Sequence, residues 1–268
     1  MYMDELLGPK KSLGQHWLTD SRTLEAIANL ADIQSTDTIL EIGPGLGYLS
    51  EVLLRQAENV VAVELDSSLA ESMNKTFAKQ SKLSVVNQDI RRYDLTKLPK
   101  NYKVVANIPY YLTSYLIRLF SQTANPPSIA VLLVQREVAE RLAAPPGKLS
   151  LLGVTAQIYW DISLGLIVPP SMFTPPPKVN SQVVKLSRKP TTNLPAGRER
   201  EFFKTVKIGF SQKRKTLANS LTAGFRLSKT DVSDLIIASG LAVQVRPQQL
   251  SIDDWFKLAA NIQKLLGK

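Results

Sequence analysis

Asn107, Ile108, Pro109 and Tyr110, which follow the apolar run KVVA, could hold an exocyclic amine for alkylation. Such an amine, adenine N6 in particular, is a poor nucleophile because its lone pair is delocalised into the ring. The Asn107 side-chain oxygen and the Ile108 carbonyl offer two acceptors for the two amino hydrogens. Gripping both would turn the nitrogen lone pair toward an electrophilic methyl group. Pro109 restricts the backbone, so the acceptors are placed in advance. Tyr110 supplies a ring on which an extruded base can stack, worth about 1–3 kcal/mol. No general base is needed, because the proton leaves a cationic amine after transfer. Phe173, in the stiff segment PPSMFTPPP, is either the second face of an aromatic clamp or a hydrophobic staple of its own loop. Tyr111 is expected to pack into the core.

A methyl donor needs its own seat. Glycines 43, 45 and 47 form the turn GPGLG between an apolar strand and a helix. Without Cβ atoms such a turn lets a ligand approach the backbone. Glu64 ends the next strand, where a carboxylate can accept hydrogen bonds from both hydroxyls of a ribose. Asp89 ends the strand after that, either facing the amino group of an adenine or capping a helix. The spacing is G-x-G-x-G, not the G-x-G-x-x-G of pyrophosphate binders. A nucleoside such as S-adenosylmethionine therefore fits better than NAD, and no hydride-transfer acid is evident.

These residues must be positioned by a regular frame. Short apolar strands at 38–43, 60–65, 83–89, 103–111 and 128–134 alternate with helical patterns at 20–31, 49–54, 69–79, 112–120 and 136–144. Near-continuous apolar strands are buried on both faces, so the sequence predicts a parallel α/β sheet covered by helices. Two longer strands, 156–168 and 181–189, should add an antiparallel hairpin at the sheet's edge. Residues 189–198 have linker composition. The segments beyond them are helical. The expected domains are residues 1–188, catalytic and cofactor-binding, and residues 199–268, a small all-helical domain.

Composition narrows the chemistry. The chain of 268 residues has no cysteine and one histidine, which excludes cysteine-based zinc, iron–sulfur and disulfide chemistry and multi-histidine metal sites. No metal is expected. No apolar stretch suggests a leader or a membrane span, so a soluble cytoplasmic protein is expected. The net charge is +10, and its distribution is uneven. Residues 188–268 carry 15 Lys and Arg against 6 Asp and Glu, whereas residues 1–187 are close to neutral. That asymmetry suggests a polyanion engaging the C-terminal part, with Lys213, Arg214 and Lys215 as leading phosphate contacts.

The chain resembles the KsgA family of rRNA adenine N6,N6-dimethyltransferases over nearly its full length. The matching stretches include KKSLGQHWL at 10–18, LEIGPGLGYLS at 40–50, VVAVELD at 60–66, QDI at 88–90 and VANIPYYLTS at 105–114. They continue with QREVAERLAA at 135–144, FTPPPKVNSQVV at 173–184 and FSQKRKTLANSL at 210–221. The resemblance implies a class I, Rossmann-like methyltransferase sheet with an RNA- or ribosome-binding helical domain. It implies S-adenosylmethionine as cofactor, with contacts at His16, Leu18, Gly43, Gly45, Glu64, Asp89, Ile90 and Asn107. His16 stands where members often carry Asn. Gln15 and Leu18 lie in a segment resembling a flap over the cofactor. The implied reaction is dimethylation of two adjacent adenosines in a hairpin near the 3′ end of small-subunit rRNA, by a monomer. Two other readings stay open: an RNA-binding assembly factor with little activity, and a large-subunit rRNA enzyme of the same superfamily.

Overall fold

A computed structural model describes residues 8–192, 194, 197–212 and 214–267, with Lys11 as backbone only. In chain order its elements are β1 (Trp17–Leu18), α1 (Ser21–Asn29), β2 (Thr38–Ile42), α2 (Tyr48–Leu54), β3 (Asn59–Glu64), α3 (Ser67–Thr76) and β4 (Leu83–Asn87). Then come β5 (Lys103–Asn107), α4 (Thr113–Gln122), β6 (Ile129–Gln135), α5 (Arg136–Leu142), α6 (Leu151–Gln157), β7 (Trp160–Val168), β8 (Phe173–Thr174) and β9 (Ser181–Arg188). Four helices follow: α7 (Glu199–Gly209), α8 (Leu217–Phe225), α9 (Lys229–Ala238) and α10 (Ile252–Leu265).

The chain forms two compact units. The first contains residues 1–139 and 161–188. Its seven-stranded sheet has the order β4-β3-β2-β5-β6-β9-β7. The first five run parallel, and β9 lies antiparallel to β6 with Leu132 opposite Val184. The expected Rossmann-like sheet with an antiparallel addition is therefore present. The reason is visible in burial: Leu40, Val104, Val105, Leu132 and Leu133 are fully enclosed. Helix α1 starts at Asp20, whose carboxylate accepts the Thr23 N–H at 2.8 Å, and it buries Leu24, Ile27 and Ala28. The chain leaves β2 toward β3 on one side and reaches β5 on the other. Ligands bind at such a reversal, beyond the carboxyl ends of the strands.

The second unit contains residues 140–160 and 189–268. Helices α7 to α10 enclose Trp255, Phe202 and Leu217, and Phe210 packs on Trp255 with ring centres 5.4 Å apart. Ser251 and Asp254 cap α10 reciprocally. Residues 140–160 join this unit by backbone bonds: Gly147 and Leu149 donate to the Gln248 carbonyl, and Lys189 donates to Tyr159. The expected domain boundary at 188 follows the chain order, whereas this grouping reaches back to 140.

One strand begins later than expected. Residues 151–157 form α6, started by Ser150, whose hydroxyl accepts the Gly153 N–H at 3.1 Å. Val154 and Ala156 are buried on its inner face. Of the strand expected over 156–168, Trp160–Val168 is observed as β7. Among the described residues, no helix is long and apolar enough to cross a membrane.

Candidate functional site

A cleft of about 1090 Å³, its open mouth included, lies in the first unit at the carboxyl ends of β2 to β5. Each strand delivers one residue singled out above. Gly43 follows β2, Glu64 ends β3, Asp89 lies two residues past β4, and Asn107 ends β5. All four line the cleft, with His16, Leu18, Gly45, Ile90, Ile108, Pro109 and Tyr110.

The glycine turn is left-handed at Gly43, Gly45 and Gly47, with φ of 64°, 60° and 86°. At Gly47 a side chain is also excluded by contact, since a Cβ would stand 2.6 Å from the Phe77 ring. At Gly45 the indole of Trp17 would stand 3.3 Å away. The turn therefore exposes bare backbone to the cleft under a tryptophan.

The Glu64 side chain is buried, and both carboxylate oxygens are fixed. Oε2 accepts the Gly45 N–H at 3.1 Å and Oε1 accepts the Asp66 N–H at 2.8 Å. Each oxygen has a second acceptor direction left, enough for one hydroxyl apiece. Burial pushes the Glu64 carboxyl above its ordinary range, and the backbone donors oppose that. Asp89 caps the short turn after β4 by accepting the Arg91 N–H at 2.9 Å. Its carboxylate also grips the Arg91 guanidinium, with Nη2 to Oδ2 at 2.5 Å. Arg91 is the main cause that holds Asp89 below the usual carboxylate range.

These residues fit an adenosyl group. The described lining carries Glu64 and Asp89 against Arg91, while burial keeps Glu41 protonated near neutral pH. That balance of one negative charge suits a cationic sulfonium and opposes a pyrophosphate. On the same wall the Trp17 indole N–H is buried with no partner among the described residues. A buried donor without an acceptor is costly, so it is a place for a ligand oxygen.

At the other end of the cleft, Asn107 is oriented by its own amide. Nδ2 donates to the His16 carbonyl at 3.1 Å, so Oδ1 is the end left to accept. Tyr110 is anchored by its hydroxyl, 2.7 Å from Ser181 Oγ at the start of β9, and burial raises its pKa. The ring that faces Tyr110 is His16, with centres 6.2 Å apart and planes 21° apart. His16 is held in turn by Nδ1, 2.7 Å from the Pro175 carbonyl.

Phe173 sits elsewhere. It pairs with Leu18 between β1 and β8, is 4% exposed, and belongs to the core cluster with Leu24 and Val183. As placed here it staples its loop, and acting as a clamp face would require it to turn out of that core. Tyr111 is the reverse case: expected in the core, it is 59% exposed at the cleft mouth. It follows Pro109 by two residues in a short turn that carries Leu112 inward and Tyr111 outward. Arg214 and Lys215 are exposed between α7 and α8 in the second unit, and Lys213 lies outside the described residues. Among the described residues no cluster of His, Asp and Glu could hold a metal.

Beyond the flap residue Gln15, several contributors have no role assigned by the sequence. Lys10 pairs with Asp66 at 2.8 Å, and Gln15 accepts the Lys10 backbone N–H at 2.7 Å. Burial raises the Asp66 carboxyl, but Lys10 and the Ser68 N–H outweigh it and the net direction is downward. This ion pair ties the segment before β1 to the rim of the cofactor cleft. Glu41, at the floor, is 1% exposed and accepts from Ser50 Oγ at 2.5 Å. Burial, reinforced by the charge of Glu64, pushes its pKa up to about 8 against the Ser50 bond.

That shift has a thermodynamic consequence. The folded pKa lies above the unfolded value, so the native state holds the extra proton. The associated stability is complete below the ordinary carboxylate value of 4.5 and is lost as pH rises through about 8. Melting curves should show the stability of Glu41→Gln overtaking wild type as pH is raised from about 5 to about 9, by several degrees in Tm. A constant Tm difference between the two proteins would mean that Glu41 does not titrate in this range.

The family described as "Ribosomal RNA adenine dimethylase" matches residues 8–264. The chain is 38% identical over 255 residues to "Ribosomal RNA small subunit methyltransferase A" of Dehalococcoides mccartyi, covering 94% of this chain and 88% of the relative. Among solved structures it is similar to a dimethyladenosine transferase from Plasmodium falciparum, with 28% identity and a TM-score of 0.78 over 93% of this chain and 98% of the other. The 23S rRNA methyltransferase ErmE shares the fold, with 23% identity and a TM-score of 0.75 over 92% of this chain and 99% of the other.

Proposed function

Since the chain belongs to the ribosomal RNA adenine dimethylase family, we propose that it methylates N6 of two adjacent adenosines in a hairpin near the 3′ end of small-subunit rRNA. One observation carries the reading: the Asn107 amide is turned by the His16 carbonyl so that its oxygen is the acceptor offered to a base. Asn107 Oδ1 and the Ile108 carbonyl hold the two amino hydrogens and direct the nitrogen lone pair. Tyr110, anchored on Ser181, provides the face on which the extruded base rests. His16 lines the flap side of the same cleft.

The cofactor is S-adenosylmethionine, which when bound supplies an electrophilic methyl on a cationic sulfur. Glu64 receives the ribose hydroxyls, and Asp89 shares its carboxylate between Arg91 and the adenine amino group. Leu18 and Ile90, both buried, form apolar walls. Gly43 and Gly45 let the amino-acid portion approach the backbone. The carboxylates of Glu64 and Asp89 would favour a positive sulfur over a neutral thioether, which would assist product release. The helical unit, with Lys213, Arg214 and Lys215, supplies phosphate contacts for the ribosomal particle. The chain works as a monomer and without a metal.

The test uses purified protein, labelled cofactor and small ribosomal subunits that lack the modification. Label should appear as N6,N6-dimethyladenosine in small-subunit rRNA and not in large-subunit rRNA. Retention of the particles without incorporation would instead make the chain a binding factor.

A further inference from the structure

A second aromatic surface begins where the base pocket ends. Tyr111 is 59% exposed at the cleft mouth, with its ring against Gly14. Tyr115 is half-buried one turn along, and its hydroxyl donates to the Arg91 carbonyl at 3.2 Å. Arg118 continues the same stripe of α4, its guanidinium carbon 5.9 Å from the centre of the Tyr115 ring. Arg91 lines the cleft beside Tyr111 with its side chain 55% exposed and its guanidinium paired with Asp89, so it borders the stripe as half of an ion pair. Tyr115 and Arg118, three residues apart, share one face of α4, which contains no acidic residue, and Tyr111 stands in the short turn that leads into it. All of these groups lie in the first unit.

No structural need puts a ring at position 111. The turn holds its geometry through Pro109 and the buried Leu112, and an exposed phenol contributes little to folding. Alternating aromatic faces and guanidinium groups are what a single nucleic-acid strand uses: bases stack, phosphates pair with the cations, and sequence matters little. A base can enter the pocket only if its strand is locally unpaired, which leaves the flanking nucleotide with an open face.

We propose that Tyr111, Tyr115 and Arg118 form a track for the RNA strand beside the target adenosine, with the Asp89-paired Arg91 at its cleft end and the neighbouring base stacked on Tyr111. The proposal rests on the function given above and names how its substrate is held. It gives the second of two adjacent adenosines a resting place while the first is in the pocket. The track then favours a substrate whose neighbour is a purine, which stacks best.

Binding of an oligoadenylate about eight nucleotides long, followed by fluorescence anisotropy, tests this alongside steady-state methylation of unmodified small subunits. Tyr111→Ala should weaken oligoadenylate binding about 5- to 150-fold, the range for one stacked base, and raise KM for the particle in the same direction. Tyr111→Phe should stay within about twofold of wild type because it keeps the ring. Arg118→Ala should lower the slope of log affinity against log salt by about 0.7, the value for one phosphate on a single strand. Retained binding of S-adenosylhomocysteine serves as the check that each variant is folded. Wild-type binding by Tyr111→Ala, or equal losses in the Phe and Ala variants, would overturn the track. If wild-type protein transfers no methyl group at all, the functional reading fails instead, and the two failures are distinguishable.

Discussion

Asn107→Ala lowers methyl incorporation into small-subunit rRNA by about 10²- to 10³-fold, the usual cost of one pre-placed polar contact in the transition state. Affinity for the particle stays near wild type, because phosphate contacts rather than one amide dominate RNA binding. The replacement removes two things at once. It deletes the oxygen that accepts an amino hydrogen, and it frees the His16 carbonyl from the bond that orients the amide. Asn107→Asp separates them. The carboxylate still accepts, but it presents a negative oxygen to the His16 carbonyl, so an intermediate rate is expected. Single-turnover incorporation with saturating protein reads the chemical step directly. A wild-type rate in Asn107→Ala would remove the amide from the reaction.

The second large effect is on cofactor affinity. Glu64→Ala should weaken binding of S-adenosylhomocysteine about 100-fold, from the loss of two hydrogen bonds to a charged acceptor at about 1.5–3 kcal/mol each, partly offset by hydration of the vacated space. Glu64→Gln keeps one acceptor and should lose less. Because burial raises the Glu64 carboxyl, its charged form is lost sooner than that of an ordinary glutamate as pH falls. Calorimetric titration of wild type should therefore show affinity declining with falling pH, beginning above the usual value of about 4.3, and Glu64→Ala should show no such decline. The Ala variant also leaves the Gly45 and Asp66 N–H groups without their acceptor. A fall in Tm is expected alongside the affinity loss.

Much of this arrangement is legible in the amino-acid sequence. The alternation of apolar strands with helical spacing sufficed for the parallel sheet, because strands buried on both faces leave an unmistakable apolar run. Once β2 to β5 are parallel neighbours, Gly43, Glu64, Asp89 and Asn107 must converge at their carboxyl ends. Side-chain direction was not legible. Nothing in the pattern distinguishes Tyr110 from Tyr111, since both follow a proline and both are apolar enough for a core. The short turn alone sends one in and the other out. Phe173 was ambiguous for a similar reason: a phenylalanine among prolines suits a clamp or a staple, and the pairing with Leu18 that decides its position is long-range. The strand expected over 156–168 starts four residues too early because Ile158 and Tyr159 extend the apolar pattern of β7 backward, while the Ser150 cap that starts α6 is a single local bond. The Lys10–Asp66 pair joins residues 56 apart and has no local signature.

The grouping of residues 140–160 with the C-terminal helices bears on how this chain can be divided. The polypeptide passes from one unit to the other three times, after residues 139, 160 and 188. A protein truncated at 188 would keep α6 but lose Gln248, the acceptor for Gly147 and Leu149, and would carry an orphaned fragment of the missing half. Swapping target preference between relatives by exchanging their tails would graft a helical bundle that lacks one of its own pieces. Recombination in this lineage would have to move both segments together, so the two halves should share a common ancestry instead of shuffling as independent modules.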